Sequence, residues 1–165
     1  MGTMDLYLVQ HAKAKPAELD PERPLTEEGM ADARRVASFV SRNNAVVVRS
    51  IVHSGLLRTQ QTAQIFAEYL RPPGGVQQEK ELLPNSQPWS WVERLTRLRE
   101  DLLIVGHLPH LRRLSSLLLC QDERKNLVDY RNAGVVCLNR DESGIWVIRW
   151  VIVPQIVSEI SARPS

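Results

Sequence analysis

The chain is poor in the residues that mark specialised classes. It has two cysteines in 165 residues, Cys120 and Cys137, too few for a disulfide scaffold and without metal-ligand spacing. Both sit in apolar stretches, which predicts buried free thiols. Aromatic residues make up 5% of the sequence and form no stacking stripe, and 21 Lys plus Arg face 19 Asp plus Glu, a formal charge of +2. That balance argues neither for nucleic acid nor for an anionic membrane as partner. No apolar run reaches membrane-spanning length. The first apolar run, residues 6–9, is too short for the core of a signal peptide, so a reducing cytoplasm is the expected compartment. What is present, 43% hydrophobic and 24% charged residues, is ordinary globular composition. Residues 1–165 are enough for a single domain with a substantial core.

Hydrophobic patterning predicts an α/β fold without internal repeats. Residues 6–9 and 102–105 are continuous apolar runs of strand length, the signature of buried parallel strands. Thr26 is a good N-cap, followed by Glu27 and Glu28 in the first turn. The spacing of Ala33, Val36, Ala37 and Val40 carries that helix to about Ser41, and Asn43-Asn44 ends it. A second strand is expected within residues 46–52 and a helix over 57–70. Pro72-Pro73-Gly74-Gly75 breaks that helix and opens a loop toward Leu82 and Leu83. A helix over 89–100 leads into the strand at 101–105, and Pro109 suits the first turn of a helix through Leu118. Segments 134–138 and 144–153 read as a hairpin that makes part of the sheet antiparallel. Residues 13–24 contain three prolines and read as an irregular loop over the site.

His11, Arg58 and His107 each follow or close a short apolar run. At the carboxyl ends of parallel strands they are placed where ligands bind. Two imidazoles and a guanidinium with no carboxylate among them suit a small, highly charged anion, with phosphate the obvious candidate. Arg58 falls in the first turn of its helix, where free N–H groups also favour an anion. Ser54 is placed to hold that turn. Thr62, four residues on, either orients Arg58 or bonds back into its own helix. His53 reads as structural and His110 as a surface or packing residue. A zinc site from His11, His53 and His107 lacks carboxylate ligands and paired histidines, so no metal is expected.

At these residues the chain resembles the histidine phosphatase superfamily, and most closely its small bacterial branch, the SixA-like phosphohistidine phosphatases. Gln10-His11-Ala12 is similar to the family's Arg-His-Gly motif, residues 54–62 to its Ser-x-x-x-Arg-x-x-x-Thr helix, and Gly106-His107 to its second histidine. Arg23-Pro24-Leu25-Thr26 resembles its Arg-Pro-Leu-Thr segment. The resemblance implies a three-layer α/β/α fold of the phosphoglycerate mutase-like kind, mostly parallel with one antiparallel strand near the C-terminus. It implies a cofactor-independent hydrolase in which His11 becomes phosphorylated, Arg58 clamps phosphate and His107 stabilises the transferring group. The expected substrate is phosphohistidine in a protein, such as a phosphotransfer domain, because its leaving imidazole needs less acid assistance than an alkoxide. Glu79 and Glu81, in the segment where such an acid would enter, read as exposed charges. Gln10 departs from the family's arginine and donates hydrogen bonds without neutralising charge. Lys13 and Arg23 are the available cations to compensate. Two alternatives stay open: a broad phosphomonoesterase, and a phosphate-binding pseudoenzyme.

Overall fold

In a computed structural model, which describes residues 2–157, six strands form one sheet. The elements in chain order are β1 (Met4–Gln10), α1 (Glu27–Arg42), β2 (Ser50–His53), α2 (Leu57–Leu70), β3 (Val76–Gln78), α3 (Trp89–Arg97), β4 (Leu102–Gly106), α4 (His110–Cys120), β5 (Val135–Arg140) and β6 (Trp146–Ile152). Strand order is β3-β2-β4-β1-β5-β6. β1, β2, β3 and β4 are mutually parallel, and β5 runs antiparallel to both β1 and β6. The architecture is therefore the expected one, a mostly parallel sheet with a single reversed strand.

Alternation along the strands explains the layers. Tyr7 and Val9 of β1 pack with Ala33, Val36 and Val40 of α1 and Ala63 and Phe66 of α2. Leu6 and Leu8 pack on the opposite face with Trp91 and Leu95 of α3 and Leu111, Leu114 and Leu118 of α4. β1 and β4, buried on both faces, are the continuous apolar runs seen in the sequence. Thr26 caps α1 as expected, its hydroxyl accepting from Gly29 N at 3.0 Å. A β-carbon on Gly29 would lie 2.2 Å from the Lys13 carbonyl oxygen, so only glycine lets α1 pack so close to the chain leaving β1.

Several elements differ from expectation. β2 starts at Ser50, whose partner Leu102 is the first residue of β4; Arg49 N still donates to the Asp101 carbonyl at 3.1 Å, but residues 46–49 form no ladder with β4. Val46 and Val48 of that segment still enter the core, which is why it reads as strand. β3 was unanticipated: Val76-Gln77-Gln78 carries little apolar signal and is a strand because β2 offers it an edge. α3 stops at Arg97, before the expected Glu100, because the buried Arg140 guanidinium donates to the carbonyls of Leu95, Thr96 and Leu98 at its end. Cys120 is exposed, because it is the last residue of α4, beyond the buried face that ends at Leu118; Cys137 is buried as expected. His110 lies fully inside the protein and is not on its surface.

In β6 the register shifts between Cys137 and Leu138 of its partner, which face Trp150 and Ile148, leaving Arg149 as the extra residue of a bulge. No described helix is long and apolar enough to cross a membrane.

Candidate active site

Gln10 and Gly106 are register neighbours at the ends of β1 and β4, so the residues after them, His11 and His107, leave the sheet side by side. Their ring centroids are 5.3 Å apart. His11 N donates to the Gly106 carbonyl at 3.1 Å, and Asn132 Nδ2 donates to the His11 carbonyl at 2.8 Å. Ala12 N donates to Thr62 Oγ1 at 3.0 Å while that hydroxyl donates to the Arg58 carbonyl at 2.7 Å. Thr62 thus bonds back into α2 and, with the same oxygen, fastens α2 to the turn that bears His11.

The protonation pattern follows from the bonds. A carbonyl only accepts, so the 2.7 Å contact of His11 Nδ1 with the Ala12 carbonyl makes Nδ1 the donor and leaves the lone pair on Nε2. Thr59 donates to the Leu56 carbonyl at 2.7 Å, so in its 2.8 Å contact with Ser54 it accepts and Ser54 donates. With its only proton committed, Ser54 must accept in its 2.6 Å contact with His107, whose Nε2 therefore carries the hydrogen. Neutral His107 then bears a bare lone pair on Nδ1.

The charged groups bearing on the two rings are all basic. Burial lowers the His11 pKa to about 4, with Arg58 and Arg23 adding to the shift and the bond to Ala12 opposing it. His107 is held at about 3 by burial, then by His11, Arg58, His110 and Arg23. Burial, with Arg23, also lowers Arg58. A cluster of uncharged imidazoles and two guanidiniums, with His107 enclosed, His11, Arg23 and Arg58 partly exposed, and no acidic group bearing on the rings among the described residues, favours an anion from solution.

The other sequence candidates divide. Arg23 has a left-handed backbone, φ 51°, and its Nε donates to the Lys15 carbonyl at 3.1 Å. Gln61 helps hold this loop by accepting from Leu25 N at 2.8 Å. Lys13 is exposed and paired with Glu28 at 2.5 Å, so its charge is engaged on the surface. Gln10 Oε1 and Arg58 Nε are buried without a hydrogen-bond partner among the described residues. His53 is structural: its Nδ1 accepts from Gly55 N at 3.0 Å. Glu79 pairs with Arg94 at 2.9 Å. Thr59 and Asn132 were missed by sequence reasoning. Thr59 had a signal, a hydroxyl one residue past Arg58, whereas Asn132 lies 121 positions from the carbonyl it binds. Among the described residues no cluster of three or more His, Cys, Asp and Glu side chains is arranged to hold a metal.

A sequence model of the histidine phosphatase superfamily (branch 1) matches residues 6–83. Phosphohistidine phosphatase SixA of Escherichia coli (strain K12) is 26% identical over 156 residues, covering 92% of this chain and 94% of that protein. Among solved structures, the protein histidine phosphatase SixA complexed with tungstate superposes with a TM-score of 0.79 at 23% identity, covering 94% of this chain and all of that one. Phosphoglycerate mutase from Bacillus anthracis str. Sterne gives a TM-score of 0.72 at 14% identity, over 94% of this chain and 96% of that one. At such identities the two structures speak to the fold.

Proposed function

We propose that the chain belongs to the histidine phosphatase superfamily, whose model its residues 6–83 match, and that it is a phosphohistidine phosphatase working through phosphorylated His11. The observation that carries this reading is the tautomer of His11: Nδ1 is spent on the Ala12 carbonyl, and Nε2 is left as a neutral nucleophile beside His107. Phosphoryl transfer asks the protein mainly for a positioned nucleophile and for neutralisation of charge on the equatorial oxygens. In the first step His11 Nε2 forms a bond to phosphorus as the bond from phosphorus to the substrate nitrogen breaks. The leaving imidazole departs neutral when its distal nitrogen carries a proton. Arg58 and Arg23 offset the phosphate charge, and His107 donates to an oxygen from Nε2 by exchanging Ser54 for the ligand. Water then attacks phosphorus, returning the electron pair to His11 Nε2 and releasing phosphate.

The test is single-turnover phosphate release from a phosphohistidine-bearing phosphotransfer domain, with wild type, His11→Ala and a simple phosphate ester run in parallel. Release by wild type, loss of both turnover and covalent labelling in His11→Ala, and a slow ester reaction are expected. Equal rates on the ester would make the protein a broad phosphomonoesterase. The amide of Gln10, where the family has arginine, favours a second reading, a protein that binds a phosphorylated partner without turnover. Tight binding with no release from either substrate would select it.

A further inference from the structure

His110, the first residue of α4, is completely buried, and neither ring nitrogen has a hydrogen-bond partner among the described residues. A neutral imidazole has one N–H and one lone pair, so this burial is costly where a leucine would pack freely. Two complementary orphans stand on the face of the sheet that α4 covers. His107 lies one turn earlier, in a chain that is already helix-like, since Leu111 N donates to the His107 carbonyl at 2.9 Å. Its Nδ1 is buried, lacks a partner among the described residues, and is a lone pair by the proton count above. The second orphan is Gln10 Oε1. Gln10 follows Leu6 and Leu8 in the alternation of β1, so its side chain is directed to the face covered by α4. A β-carbon on Gly106 would meet Leu111 at 3.0 Å, so the first turn of α4 rests on the residue paired with Gln10.

We propose that one internal water joins Gln10, His107 and His110, and that His110 acts through it as a positioning residue for His107. The water accepts from the His110 N–H, donates one hydrogen to His107 Nδ1 and the other to Gln10 Oε1. Three bonds are the usual complement of a buried water. The network locks the His107 proton on Nε2, where Ser54 holds it for the incoming phosphate. It also gives Gln10 a purpose that arginine cannot serve, because a guanidinium has no acceptor. The role in catalysis rests on the reading of His107 given above; the hydrogen-bond network does not.

The experiment is ¹⁵N spectroscopy of the imidazoles in the full chain, with kinetics on the same samples. In wild type, His107 should show an Nε2–H tautomer and a hydrogen-bonded acceptor at Nδ1. His110→Leu should remove the acceptor signature and let His107 protonate at higher pH, since a bond to the lone pair favours the neutral ring. The groups that face His107 in this titration are His11, Arg58, Arg23 and His110, and Arg113 faces His110. His110→Gln keeps an N–H donor and should keep the wild-type spectrum. In kinetics, His110→Leu should lower kcat about tenfold with little change in KM, while His110→Gln stays within about threefold. Gln10→Arg and His110→Leu should be non-additive, as expected for two members of one network. An unbonded Nδ1 or an Nδ1–H tautomer in wild type, or a glutamine variant that matches leucine in its spectra, overturns the proposal. Intact spectroscopic behaviour in a protein without turnover would instead overturn the functional reading and leave the network standing.

Discussion

Single residues set the charge and proton state of the site. With Lys13 held by Glu28, Arg23 is the cation that, with Arg58, bears on His11 and His107. Losing a hydrogen bond to a charged group costs about 1.5 to 3 kcal/mol, so Arg23→Gln should lower kcat/KM by roughly one to two orders of magnitude on a phosphohistidine substrate. The same variant should raise the pKa values of His11 and His107, because a repelling charge is gone. In the proposed reaction attack needs neutral His11, so kcat/KM should fall on the acid side only as pH approaches about 4. A pH–rate profile with its acid limb at the ordinary histidine value near 6.5 would contradict the buried geometry. His11, Arg58 and His107 were legible in the sequence because each stands where an apolar run ends. The fate of Lys13 was not, because Glu28 comes near it only when α1 packs on the chain leaving β1.

Between elements, Thr62 fastens the site, and Arg140 closes the opposite end of the sheet, where it pairs with Met4 at the start of β1. Thr62 Oγ1 satisfies the buried Ala12 N–H. Thr62→Val keeps the shape but leaves that donor unpaired, for a loss of about 1 to 3 kcal/mol in denaturant unfolding. Arg140 closes α3 from β5, its Nη2 also donating to the Gly2 carbonyl at 3.3 Å. Arg140→Leu should cost about 2 to 4 kcal/mol and raise amide exchange at residues 95–98, because several carbonyls lose their donor together. These cases show where sequence reading of elements stops. β1 and β4 were readable from their own residues, and so was the cap of α1. The end of α3 is decided by a side chain more than forty positions away, and β3 by the edge beside it.

At the scale of the whole molecule, four imidazoles that burial keeps uncharged link stability to pH, and His53 is one of them, its pKa also lowered. His11, His107 and His110 titrate near 4, 3 and 4 in the folded protein against an ordinary 6.5. Between those values the unfolded chain binds more protons, so acidification favours unfolding. Stability should be full above about pH 6.5 and fall progressively toward pH 3 to 4, by on the order of several kcal/mol, measurable as a drop in denaturant midpoint. His110→Leu should flatten part of that slope.

The bulge in β6 bears on how these molecules coexist in a crowded solution. β6 is the outermost strand, and Val147, Ile148 and Val151 on it are exposed. An uninterrupted ribbon of that composition would invite neighbouring copies to zip on, sheet to sheet, toward fibrils. The extra residue breaks the repeat in mid-strand and puts a cationic side chain there. Arg149, 3.7 Å from the Asp5 carboxylate, thus interrupts the strand where a regular edge would otherwise continue, a feature that in general disfavours edge-to-edge pairing.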